Sequence, residues 1–82
     1  MRILFEDGEG VKTKIGTATN RQDAWKIIMG YLKEHGFTSH YQRVAMYPDE
    51  KRFWIDFGSH VSFMHVVDAT DEEFKEFVED VT

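Results

Sequence analysis

Residues 41–67, YQRVAMYPDEKRFWIDFGSHVSFMHVV, constrain the fold more than any other part of the chain. Residues 52–57 alternate with period two. Phe53, Ile55 and Phe57 point one way, and Arg52, Trp54 and Asp56 the other. Residues 61–67 repeat the pattern, and Gly58-Ser59-His60 between them suits a three-residue hairpin loop with Gly58 free to take positive φ. Pairing Phe57 with Val61 then sets Ile55 across from Phe63 and Phe53 across from His65, a nearly apolar face. It leaves Trp54 beside Met64, Arg52 beside Val66 and Asp56 beside Ser62 on the other. Upstream, Pro48-Asp49-Glu50-Lys51 forms a turn with proline pre-set for its position. Pairing Tyr47 with Arg52 puts Met46 across from Phe53, Val44 across from Ile55, Ala45 across from Trp54 and Arg43 across from Asp56. That register yields both a continuous core and a cross-strand ion pair, so this stretch is read as a three-stranded meander.

The flanking segments supply two helices and a further hairpin. Residues 2–6 and 11–17 read as strands joined by Asp7-Gly8-Glu9-Gly10, with Phe5 by Thr13, Ile3 by Ile15, and Glu6 meeting Lys12. The doublet Gly8-x-Gly10 is hairpin chemistry rather than a phosphate loop, because no helix follows it and no Lys-Ser/Thr lies downstream. Asn20, or Thr19, caps a helix over 21–35 whose stripe is Ala24, Trp25, Ile28, Tyr31 and Leu32, with Ile27 nearby. Gly36 closes it, and Phe37 folds back on the last turn. Thr70-Asp71-Glu72-Glu73 is a capping box, and Phe74, Phe77, Val78 and Val81 follow at helical spacing. The expected order is β-β-α-β-β-β-α, an α+β two-layer sandwich with an antiparallel sheet and both helices on one face. The placement of the first hairpin within that sheet stays open.

At 82 residues, with 41% hydrophobic and 30% charged content, the chain is expected to be one domain with one core. Aromatic residues make up 15%, more than a core of this size needs, so some are expected at a surface or an interface. Cysteine is absent, which removes disulfides and thiolate metal sites. Without a membrane-length apolar run or a signal-peptide pattern, a soluble cytoplasmic protein with no membrane partner is expected. The net charge of −5 is concentrated: residues 68–82 hold seven acids and one base.

The uncovered sheet face is expected to present Tyr41, Arg43, Tyr47, Arg52, Trp54, Asp56, Met64 and Val66. Aromatic, Met and Arg enrichment is the signature of a protein interface. Stacking of a single base or nucleotide on Trp54, flanked by Arg43, Tyr47 and Arg52, is the alternative. The back of the last helix offers a second surface in Asp71, Glu72, Glu73, Glu76, Glu79 and Asp80. It serves solubility, or imitates nucleic-acid phosphates toward a basic groove. Helix–three strands–helix is also the order of double-stranded-RNA-binding domains, but those need a basic N-terminus on the second helix. Asp71-Glu72-Glu73 stands there and would repel phosphate.

No metal, cofactor or catalytic residue is expected. The histidines His35, His40, His60 and His65 lack ligand or motif spacing, and Ser59-His60 is a neighbour pair without an elbow around the serine. An enzyme would need His60 or His65 to meet a carboxylate in a pocket.

The run FWIDFGSHVSFMHV at 53–66 resembles small proteins encoded by phages and prophages of Gram-positive bacteria, which likewise place a D-F-G-S-H turn between two aromatic strands. The resemblance implies expression in an infected or lysogenic cell and a role as an accessory or host-interaction factor. The expectation is therefore a non-enzymatic protein-binding domain. Whether its sheet face takes a second copy, another protein or a small ligand is left open.

Overall fold

In the computed structural model the residues described are 1–37, 43–47, 52–57 and 61–81. The order is β1 (Arg2–Glu6), β2 (Lys12–Thr17), α1 (Arg21–Glu34), β3 (Arg43–Tyr47), β4 (Arg52–Asp56), β5 (Phe63–Val67) and α2 (Asp71–Val81). The strands form one sheet, ordered β2-β1-β5-β4-β3, with every neighbouring pair antiparallel. The fold is α+β. The first hairpin joins the meander through β1, which pairs with β5, so β1 and β5 are interior strands and β2 and β3 are the edges.

Local chemistry explains the helix ends. The Asn20 side chain accepts from the backbone N–H of Asp23 at 2.8 Å, satisfying one of the unpaired donors of the first turn of α1. At the other end Gly36 has φ 72°, a conformation that costs a side-chain-bearing residue more than glycine. It lets Gly36 N–H reach the Lys33 carbonyl at 3.3 Å and Phe37 N–H reach that of Leu32 at 2.9 Å, the two bonds of a Schellman closure. The Phe37 ring then meets Phe5 and Phe57, at centroid distances of 5.7 and 5.3 Å. In α2 the capping box is reciprocal: Glu73 N–H donates to Thr70 Oγ1 at 3.1 Å, and Thr70 N–H to Glu73 Oε1 at 3.0 Å.

The core gathers alternate strand residues and one stripe of each helix. Ile3, Phe5, Ile55, Phe57, Met64 and Val66 are buried together with Ala24, Ile28 and Leu32 of α1 and Phe77 of α2. Trp25, Ile27, Tyr31 and Phe74 pack at its margin.

Two registers depart from expectation. The β3–β4 pairs are as anticipated, from Arg43 across from Asp56 to Tyr47 across from Arg52. The β4–β5 ladder, however, is shifted by one residue: Ile55 faces Met64, Trp54 faces His65, Phe53 faces Val66 and Arg52 faces Val67. Because side chains alternate, the shift exchanges the two faces of β5. Met64 and Val66, expected at the surface, are fully buried. His65 and Phe63, expected inward, share the face of Trp54, and Val61 is exposed. The cause is that β5 is an interior strand. Pairing with β1 sets Met64 against Phe5 and Val66 against Ile3, which brings the apolar residues of both strands onto one face. The loops at 48–51 and 58–60, on which the hairpin readings rested, lie outside the described residues.

The second departure is a bulge in β2. Glu6–Lys12 and Phe5–Thr13 pair as expected, but Ile3 faces Gly16 instead of Ile15, with the register breaking between Ile3 and Leu4. A Cβ on Gly16 would stand 3.0 Å from Ile27 Cδ1, so a glycine there lets α1 approach the sheet. The bulge and the lysines of β2 also protect an edge strand from pairing with other chains.

Just past β5, Asp68 takes φ 68° and accepts from Arg2 Nε at 2.8 Å. That hydrogen bond is the chief reason its carboxyl lies below the usual carboxylate range. A depressed native value means the contact stabilises the fold above the unfolded-state pKa, and the contribution is lost as the pH falls through the native value. The pair is exposed, so the effect is small and screened by salt. Asp68→Asn is therefore expected to lower the melting temperature slightly at neutral pH and low salt. The difference from wild type should vanish in acid; a constant difference across the titration would show that the ion pair is not its origin.

Candidate functional site

The register shift assembles a site on the sheet face opposite the core. His65 sits at the middle of β5, across from Leu4 on one side and Trp54 on the other. Glu6, across from Phe63, is the diagonal neighbour of His65 along β1. Diagonal neighbours lie within reach of long and aromatic side chains, and two such diagonals meet here. His65 Nε2 lies 2.6 Å from Glu6 Oε1. Trp54 and Phe63 stand edge-to-face, with centroids 4.9 Å apart and planes at 80°. Together Glu6, Trp54, Phe63 and His65 line a recess of about 110 Å³.

The electrostatics follow from burial. His65 is 4% exposed, and a buried imidazole needs a partner for its ring hydrogen. With Glu6 ionised, Nε2 carries that hydrogen and donates it to Oε1, a charge-assisted bond. Lys12 Nζ stands 3.9 Å from the same oxygen. Both contacts of Glu6 thus fall on Oε1, and the carboxylate borders the recess with its negative charge offset at 3.9 Å by Lys12. An imidazole held by a carboxylate is also the orienting half of an acid–base device, so the geometric condition for enzymatic chemistry is met at His65. Among the described residues the lining contributes no hydroxyl or thiol beside it. Among the described residues no three His, Cys, Asp or Glu side chains gather as metal ligands.

The expected interaction surface is partly regrouped. Trp54 is half-buried against Phe63. Asp56, expected at the surface, is only 7% exposed. Met64 leaves the surface for the core. Arg43, Tyr47 and Arg52 occupy strand positions of the same parity as Trp54, and Tyr41 lies outside the described residues. Glu6 and Phe63 enter the site unanticipated. Glu6 was legible only as the partner of Lys12, and Phe63 was placed in the core by the neighbouring register.

The acidic helix is less uniform than its charge suggests. Glu73 is used in the capping box, and Glu76 lies 3.5 Å from Arg21 of α1. Asp71, Glu72 and Glu79 are exposed; the side chain of Asp80 lies outside the described residues. No described helix is long and apolar enough to cross a membrane.

The chain matches no known protein family, no curated protein and no solved structure.

Proposed function

We propose that the chain is a non-enzymatic protein-binding domain, with both helices on the core face of the sheet and the Trp54 face as its contact surface. The observation that carries this reading is the half-exposed, edge-to-face pair of Trp54 and Phe63 around a recess of about 110 Å³. Small-molecule sites run to roughly 300–1,000 Å³, so this recess suits one inserted side chain better than a nucleotide. Tryptophan in such a position is the residue type most often responsible for interface affinity. His65 is held by Glu6 and nearly closed off from solvent, which supports a structural imidazole over a catalytic one. The resemblance of residues 53–66 to phage and prophage proteins favours an accessory role in an infected cell. The exposed acids of α2 would then serve as a secondary surface toward a basic partner.

Self-association is the first form of this binding to test, because pairing two such faces buries Trp54. Sedimentation equilibrium over a concentration series should show a dimer. Trp54→Ser should weaken it by at least about 30-fold, the loss expected of an interface hot spot, while the far-ultraviolet circular dichroism stays that of a folded domain. A monomer at every concentration would remove self-association from the reading. An unfolded Trp54→Ser, or a dimer indifferent to it, would remove the surface assignment itself.

A further inference from the structure

The recess has a chemistry more specific than an apolar anchor. Two aromatic rings at 80° to one another, 4.9 Å between centroids, form a corner, and the Glu6 carboxylate stands at its side. An aromatic ring carries negative potential on its face, so a cation set against one is attracted to it. A carboxylate adds a charge of the same sign, and the chain as a whole is at −5. Of the two oxygens of Glu6, Oε1 takes the contacts from His65 and Lys12. The hydrogen bond from His65 fixes the carboxylate in place without neutralising it so long as the imidazole is uncharged. Lys12 Nζ, at 3.9 Å, shows that this carboxylate already draws an ammonium group to within ion-pair distance from one side.

Building on the protein-binding reading, we infer that the recess between Trp54, Phe63 and Glu6 receives a lysine-type ammonium side chain of the partner protein. The aliphatic stem would lie against the aromatic rings and the charge would end beside a ring face and Glu6, the arrangement in which long cationic side chains bury their methylenes and keep the head group paired. A recess of about 110 Å³ is of the size of one such side chain.

The test titrates ¹⁵N-labelled protein with Nα-acetyl-lysinamide and, separately, with Nα-acetyl-norleucinamide, which has a similar stem without the ammonium. The readout is the indole N–H resonance of Trp54. The lysine compound should bind roughly 2- to 30-fold more tightly than its neutral counterpart, the range of a cation–π contact. Glu6→Gln, which keeps a hydrogen-bond acceptor for His65, should reduce that preference, and raising the salt concentration should do the same. Equal binding of the two compounds would overturn the cation inference and leave an apolar anchor, so the protein-binding reading would survive. Shifts from neither compound at the limit of solubility would overturn it as well. The reading on which it rests is judged separately, by the association of wild type and Trp54→Ser.

Discussion

Met64→Ala lowers the free energy of unfolding by about 2–5 kcal/mol, whereas Phe63→Ala lowers it by roughly 1–2 kcal/mol. The two residues are neighbours in one strand and of similar bulk, so the contrast comes from the faces they occupy. Met64 is fully enclosed between Ile55 on β4 and Phe5 on β1. Truncation there loses the transfer energy of the thioether side chain and leaves a cavity that a close-packed core refills only in part. Phe63 is half-buried against Trp54 on the other face, where water can occupy what the ring vacates. A domain of this length has about 4–12 kcal/mol of stability in total. At ~4–8 °C per kcal/mol, Met64→Ala should reduce Tm by roughly 8–40 °C. Urea denaturation of both variants measures the difference directly. The opposite ranking would mean that β5 pairs in the register set by Phe57 opposite Val61, with His65 inward, and the site at Glu6 would not exist.

That dependence marks where the sequence was informative and where it was not. In β3 and β4 the two faces differ chemically: Val44 and Met46 stand against Arg43, Ala45 and Tyr47, and the observed pairing is the one this contrast predicts. The capping box at Thr70 and Glu73 and the Gly36–Phe37 closure were legible for a related reason. Each is a local device whose partners lie within five residues and owes nothing to tertiary context. In β5 the residues Phe63, Met64, His65, Val66 and Val67 offer apolar groups to both faces. Alternation cannot choose between registers one residue apart, and the choice falls to β1, sixty residues away in the chain. The candidate site inherits that ambiguity. Trp54 was visible from its own strand, but Glu6, Phe63 and His65 come to it only through the β1–β5 pairing. The bulge at Gly16 was hidden for the same reason, since it answers to Ile27 of α1 and not to its neighbours in sequence.

The anchoring of α2 makes the second large prediction. The helix has 11 residues and carries three acids in its first turn, and an isolated helix of that length is marginal in water. Its stability must come from packing. Among the described apolar side chains of the helix Phe77 is the one fully buried, with its ring 5.3 Å from that of Trp25 on α1. Phe77→Ala should therefore cost about 3–5 kcal/mol, and the loss should appear first in α2. Amide exchange across residues 71–81 should accelerate more than in β1 and β5, because local opening needs less free energy than global unfolding. A double-mutant cycle with Trp25→Ala should return a coupling of about 0.5–1.5 kcal/mol for the ring pair. Since Glu76 also bridges to Arg21, part of the acidic surface is held in place by the same contact between helices. Releasing α2 would disperse the exposed acids of that surface while leaving the recess lined by Glu6, Trp54, Phe63 and His65 formed, since no residue of α2 lines it among the described residues. Phe77→Ala should thus separate the two proposed surfaces: Trp54-dependent association persists below the new melting point, and binding through the acidic helix weakens. A cost under about 1 kcal/mol would show that Phe77 does not anchor the helix. Loss of the Trp54 contact in the folded variant would show that the two faces are not independent.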